Sequence, residues 1–422
     1  MSRLMARMRA ESAAANLGDT TAEDELGVTL ANDRENIESD VAAVADVNTG
    51  IENALEAQTE VQAAISTMEE SVEEGGMTPA LAAEVEHRME RAAALIGDNL
   101  GNYGLTFRRE SFGGKETRLS ATKRRIEAAQ GWGTKIWEAI KAAWQWLKDQ
   151  FSRLMGSIFK SADGLRKRYD GLEARLNAAT GNKQKESKIS TGAKFFARNG
   201  EVSFATIEGL VDMSAKFPTT VESVAKTTEP NVDGVELTKA LMSGLGRNSA
   251  TIKGEDASKT SYMGFFSKDR TLAFDKHDHT PEGGGKVFST FAARLVKVSE
   301  KDPDDYPALD KSQVRTLINK GMVSLKAFEA FKKSEDSIRS SCDANIKYID
   351  ETMRANAKDM SGSEEERDLA RKEARSETIK AKARQATVKL LTDFLPKEHY
   401  DVLNSLINVI LANINNFKAE DK

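Results

Sequence analysis

Apolar residues in the first part of the chain recur at three-and-four spacing, with Ile37, Val41, Val44, Ile51, Leu55, Ile65 and Met68 on one helical stripe. Asn48, Gln58 and Gln62 interrupt that stripe, so the pattern predicts a long helix with a weak, coiled-coil-like seam. Gly75 and Gly76 predict a loop, after which Thr78 and Pro79 read as the N-cap and first-turn proline of a second helix ending near Gly97.

A stronger stripe follows. Ile136, Ile140, Ala143, Leu147, Phe151, Leu154 and Ile158 share one helical face, widened by Trp137, Trp144 and Met155, while Lys135, Lys141, Lys148, Arg153 and Lys160 lie mostly off it. The stretch GWGTKIWEAIKAAWQWLKDQF, residues 131 to 151, holds all the tryptophans of the protein: Trp132, Trp137, Trp144 and Trp146. Indole rings on one side and lysines on the other suit a helix lying in a membrane interface. The same face suits a protein core or a partner helix. A short helix is expected from about Leu165 to Ala179, then a polar linker, GNKQKESKISTG, over residues 181 to 192.

Residues 190 to 250 predict short helices punctuated by Gly200, Pro218, Pro230 and Gly244. Arg270 to Phe274 and Lys286 to Val298 are the strand candidates, joined by a long hairpin loop, DKHDHTPEGGG. That loop would carry Asp275, His277, Asp278 and His279, a spacing that could contribute to a divalent metal site or be a solvated turn. Beyond it, Leu325, Phe328, Phe331, Ile338, Cys342, Ile346, Ile349 and Met353 form a continuous stripe, and Ser363 to Glu366 reads as a capping box. Val402, Leu403, Leu406, Ile407, Ile410 and Ile414 make a final helix apolar enough to dock as core. The expected fold is mainly α, with long amphipathic helices and a small β-hairpin-like element in the C-terminal part.

Charge divides the chain more sharply than the stripes do. Residues 1 to 110 hold eight arginines, no lysine and 22 carboxylates, a net charge of −14, although the whole 422-residue protein carries only −5. Residues 111 to 182 hold 14 Lys and Arg against seven Asp and Glu. Two short basic clusters, Lys123-Arg124-Arg125 and Arg166-Lys167-Arg168, flank the tryptophan stretch and could touch nucleic-acid phosphates or form solvated helix faces. We therefore expect an acidic helical segment (1–110), a basic Trp-rich amphipathic region (111–182) and a mainly helical C-terminal domain with a small β element (183–422). An acidic segment held beside a basic one would screen it from nucleic acid, and its removal would reverse the sign of the chain.

Composition narrows the chemistry. At 39% hydrophobic residues the chain can build a core, and the single cysteine, Cys342, excludes an intrachain disulfide. Its place on an apolar stripe assigns it a buried packing role. No apolar run reaches signal-peptide or transmembrane length, so synthesis as a soluble protein in a reducing cytoplasm is expected. There is no nucleophile elbow, HExxH, cysteine pair or dinucleotide fingerprint, and GGGK lacks phosphate-loop spacing. No catalytic residue, cofactor or metal is assigned, and the chain is expected not to be an enzyme. An enzyme domain in residues 183 to 422 and a membrane-active or injected effector using the Trp-rich helix are the alternatives.

The run GLTFRRESFGGKETRLSATKRRIEAAQGWGTKIWEAIKAAWQWLKDQF resembles the junction in internal head proteins of large tailed bacteriophages, where an ESFGG-like element precedes a Trp-rich, lysine-spaced helix. The resemblance implies a structural protein packed in the capsid lumen with the genome. It also implies an acidic propeptide removed by a prohead protease cutting after glutamate, here between Glu110 and Ser111, and a mature chain that can be ejected with the DNA. Implied partners are that protease, other capsid or internal head proteins, packaged DNA bound non-specifically and, for the amphipathic helix, a membrane surface. Such proteases favour a small residue two positions before the glutamate, whereas Arg108 stands there. Small-x-Glu triplets at Ala54-Leu55-Glu56, Ser71-Val72-Glu73 and Ala82-Ala83-Glu84 are candidates for additional cuts.

Overall fold

A computed structural model describes residues 22–97, 115–179, 181, 184–227, 260–279, 288–299, 301–359, 377–379, 381–382 and 384–417. It is mainly helical. The first stripe forms α1 (Ala22–Glu73), and the expected second helix is α2 (Pro79–Ile96), with Thr78 as N-cap accepting from Leu81 N and Gly97 closing it at φ 66°. The tryptophan stripe belongs to a single helix of 64 residues, α3 (Lys115–Ala178). The short helix expected at 165–179 is therefore the end of α3, and neither Gly131 nor Gly133 interrupts it. Neighbours on both sides hold this helix together, which outweighs the intrinsic cost of two glycines, about 1 kcal/mol each.

Side-chain pairs fix how the long helices run. Asp40 meets Ser157, Glu69 meets Gln130 and Met77 N donates to Thr122 Oγ1, so α1 and α3 are antiparallel. The α1–α2 turn seats directly on the start of α3, where Gly76, at φ 96°, has no room for a side chain: an added β-carbon would lie 2.6 Å from the Arg118 carbonyl carbon.

Two short helices, α4 (Phe204–Ser214) and α5 (Phe217–Thr227), precede the sheet, and two longer ones, α6 (Lys311–Glu329) and α7 (Phe331–Asp359), follow it. Asp310 and Gln313 cap α6 reciprocally. Helical turns over 377–379 and 384–389 lead through a π turn (Leu390–Phe394) into α8 (Leu395–Asn416), the expected apolar last helix. The capping box expected at Ser363 to Glu366 lies outside the described residues.

The β element is larger than expected. β2 (Thr260–Phe266), β3 (Arg270–His279) and β4 (Phe288–Lys297) form an antiparallel sheet in the order β2-β3-β4. β3 corrects the loop expectation: Asp275 to His279 continue the strand, paired from Asp275↔Ala292 to His279↔Phe288. Ladder pairing with β4 outweighs the weak strand propensity of DKHDH. Buried Glu398 anchors the sheet, accepting from Ser267 N at 2.7 Å and pairing with Arg270 at 3.3 Å, while Phe266 packs edge-on against Phe394. The expected linker is also tied down. β1 (Lys188–Ile189) pairs with β5 (Tyr306–Pro307), and Lys185 N donates to Asn416 O at 2.7 Å. Buried residues from α1 to α8 join one continuous core.

Candidate functional site

α3 is the spine on which the rest is assembled, and three of its four tryptophans lie where other elements cover it. Trp132, Trp137 and Trp144 are buried, whereas Trp146 is 54% exposed. Each buried ring faces a different demand. Gln58 and Val61 of α1 pack over Gly133, 3.5 Å from where a β-carbon would stand, an ordinary contact distance. With the Gln58 amide oriented to satisfy its neighbours, its oxygen accepts from Trp137 Nε1 at 2.9 Å and its nitrogen donates to Gly133 O at 3.1 Å. Trp144 sits where four elements converge, lining a small cavity with Leu55 of α1, Asn345, Tyr348 and Ile349 of α7, and Ala381 and Arg384 of the 377–394 segment.

Residues that interrupted the α1 stripe become its register keys. Asn48 Nδ2 donates to Thr392 Oγ1 at 3.0 Å, and Gln385 Nε2 donates to Asn48 Oδ1 at 2.8 Å. Thr378 donates to Gln62 Oε1 at 3.0 Å. Glu52 pairs with Lys389 at 2.8 Å, and Glu56 pairs with Lys382. Together these make an antiparallel polar ladder between α1 and the 377–394 segment, more than 300 residues away. Buried amide groups that find partners in only one alignment specify that alignment, because any slip strands donors in the core. Sequence reading missed the ladder. Its signal was present as amides spaced along an apolar stripe, but their partners lie in the distant segment.

Asp393, on the π turn beside Glu52 and Lys389, is the titratable group of this junction. Burial pushes its carboxyl up to about 7, while the Lys389 ammonium pulls it down. Arg384 is also buried; desolvation brings its guanidinium down to about 10, and it stacks over Tyr348 at 4.9 Å.

The basic clusters are separated and partly engaged. Lys123 and Arg124 are exposed, Arg125 is buried, and desolvation lowers its pKa against the field of Glu86. Arg166 pairs with Glu329, Lys167 is exposed, and half-buried Arg168 donates to Asn404 at 3.3 Å. Asp275 accepts two hydrogen bonds from Arg294, at 2.6 and 3.2 Å, and the side chains of His277, Asp278 and His279 lie outside the described residues. Among the described residues no three His, Cys, Asp or Glu converge as a metal site, and no helix is long and apolar enough to cross a membrane. Glu110 and Ser111 lie outside the described residues, between the end of α2 and the start of α3.

One serine–histidine contact lies within the core. His399 Nε2 lies 2.8 Å from Ser324 Oγ, which is 3.0 Å from Ser214 Oγ. All three are buried, rings of Phe217, Phe328 and Phe331 pack on the imidazole, and burial takes its pKa down to about 3. A sealed, neutral imidazole cannot meet substrate or take up a proton near neutrality, so this is a core hydrogen-bond network. Cys342 is buried as expected, its thiol raised to about 12 by desolvation.

No curated protein and no solved structure matches the chain. A family model describing phiKZ-like phage internal head proteins matches residues 39–415, spanning both the acidic α1–α2 hairpin and the spine it covers. The chain belongs to the phiKZ-like phage internal head proteins.

Proposed function

We propose that this protein is a structural component of the head interior, co-packaged with the genome, and that it matures by loss of its acidic N-terminal segment through a prohead-protease cut between Glu110 and Ser111. The observation that carries this reading is the match to internal head proteins over most of the chain, together with the reversal of charge at residue 110. The proposed cut falls outside the described elements. α2 ends at Ile96 and α3 begins at Lys115, so hydrolysis at Glu110 interrupts no described element.

The mature chain then carries a net positive charge and can replace counterions on packed DNA without reading sequence. Its role is structural rather than catalytic. Other internal head proteins, the shell and the protease are its protein partners, and release with the DNA follows from packaging beside it. Contact with a membrane through the tryptophan face would require that α1 first leave it.

External protease treatment of purified particles tests the location. The chain should survive while the capsid is intact and become digestible, in the same fraction as the DNA, once the head is opened by osmotic shock. Digestion on intact particles, or recovery with empty shells only, would refute packaging with the genome.

A further inference from the structure

We infer that a single cut between α2 and α3 separates the chain without releasing the acidic hairpin, which stays seated as a non-covalent subunit on the surface formed by α3 and the 377–394 segment. The inference rests on the maturation reading above and adds its consequence: cleavage and departure are distinct events.

The contact surface of the hairpin is core rather than rim. Val44, Ile51, Ala57, Val61, Ala64 and Met68 of α1 are fully buried, in the same continuous cluster as Trp132, Ile136 and Leu147 of α3. From residue 34 to 73, α1 spans roughly 60 Å at the usual helical rise. Along it, polar anchors recur from Asp40–Ser157 through Asn48–Gln385, Glu52–Lys389 and Glu56–Lys382 to Gln62–Thr378. The turn beyond it is pinned to α3 by the bond from Met77 N to Thr122. None of these contacts uses the connection through residues 98–114. Breaking that connection leaves every contact named above in place and removes the effective concentration that a covalent tether supplies, on the order of millimolar for a short one. An interface with a buried apolar centre and amide hydrogen bonds such as Asn48–Gln385 and Asn48–Thr392 persists well below that concentration.

The same packing orders the secondary cuts. Leu55 is buried and Glu56 is engaged with Lys382, so the Ala54-Leu55-Glu56 triplet is closed while α1 is seated. Ser71-Val72-Glu73 ends at the last residue of α1; Glu73 is exposed, but Ser71, Gly75 and Gly76 are buried, so this triplet opens only when the turn lifts from α3. A second cut there would split α1 from α2 and begin the release.

The test places a recognition sequence for a site-specific protease at the 110/111 bond of the full chain and cuts it in vitro, so the answer does not depend on whether the phage protease uses that bond. Native mass spectrometry and gel filtration at low micromolar concentration should show one 1:1 complex of the two pieces, separating only in denaturant. Elution as two separate pieces in native buffer would overturn the inference. Reversing Lys382→Glu and Lys389→Glu together should leave the uncut chain helical by circular dichroism but raise the dissociation constant of the cut protein at least tenfold. An unchanged constant would overturn the ladder as the anchor. If particles instead contain only uncut chain, the maturation reading fails while the in vitro result still stands or falls alone.

Discussion

Gln385 Nε2 donates to Asn48 Oδ1 at 2.8 Å across a separation of 337 residues, and neither side chain is exposed to solvent. Asn48 Nδ2 in turn donates to Thr392 Oγ1 at 3.0 Å. Asn48→Leu would match the surrounding stripe yet leave Gln385 Nε2 only its longer bond to the residue-48 carbonyl, 3.3 Å, and remove the donor to Thr392, so we expect a loss of about 1–3 kcal/mol in urea denaturation. Asn48→Leu combined with Gln385→Leu should recover part of that loss. Strict additivity of the two substitutions would contradict a coupled pair.

The junction around Asp393 gives a signed pH dependence. Its folded pKa, about 7, lies above the unfolded value of about 3.9, so the native state holds the proton more tightly. Its contribution is fully present below about pH 4 and is lost as pH rises through 7, by about tenfold in the folded-to-unfolded ratio per pH unit inside that window. His399 acts in the opposite sense: held neutral with a pKa of about 3, it lets the unfolded chain take up a proton first, and stability falls with pH below about 6.5. Comparing wild type with Asp393→Asn isolates the first term. The difference in stability between them should change between pH 5 and 7.5, and a constant difference would sink the assignment.

Gly321 sets two effects against each other. Within α6, Gly→Ala should gain about 1 kcal/mol of helix propensity. An added β-carbon would, however, overlap the ring of Tyr169, which is fully buried and donates to Leu403 O at 3.1 Å. Overpacking should win, with Gly321→Ala destabilising by roughly 1–3 kcal/mol in thermal or urea unfolding. Stabilisation would show that α3 and α6 are not in this contact.

Tryptophan emission reads the covered face directly. Trp146 is the exposed indole, and the others are enclosed. Acrylamide or iodide should quench one component in the native chain, and Trp146→Phe should remove nearly all of it. A quenchable signal of undiminished size in that variant would mean that α1 does not cover Trp132, Trp137 and Trp144.

Much of this was legible from local pattern because the responsible forces are local. Thr78, Pro79 and Gly97 bracket α2 through capping geometry, and the face from Ile136 to Ile158 emerges from helical spacing. What spacing could not supply is partnership. Asn48, Gln58 and Gln62 read as flaws in a seam until Gln385, Trp137 and Thr378 arrive from elsewhere in the chain. The stripe from Ile136 to Ile158 and the segment from Leu165 read as two helices, although α3 runs unbroken from Lys115 to Ala178. Asp275 to His279 read as a loop because strand propensity there is poor and the β4 partner lies across a glycine run. The candidate site suffered most. A covered tryptophan face and a membrane-seeking one have the same periodicity, and only the presence of α1 over it separates them.

The intact mass and first residue of this protein recovered from purified phage particles bear most directly on the account. A chain beginning at Ser111, with or without a co-purifying acidic fragment, is the predicted result. A chain still carrying residues 1 to 110 in covalent continuity would contradict maturation at this bond and leave the acidic hairpin a permanent part of the fold.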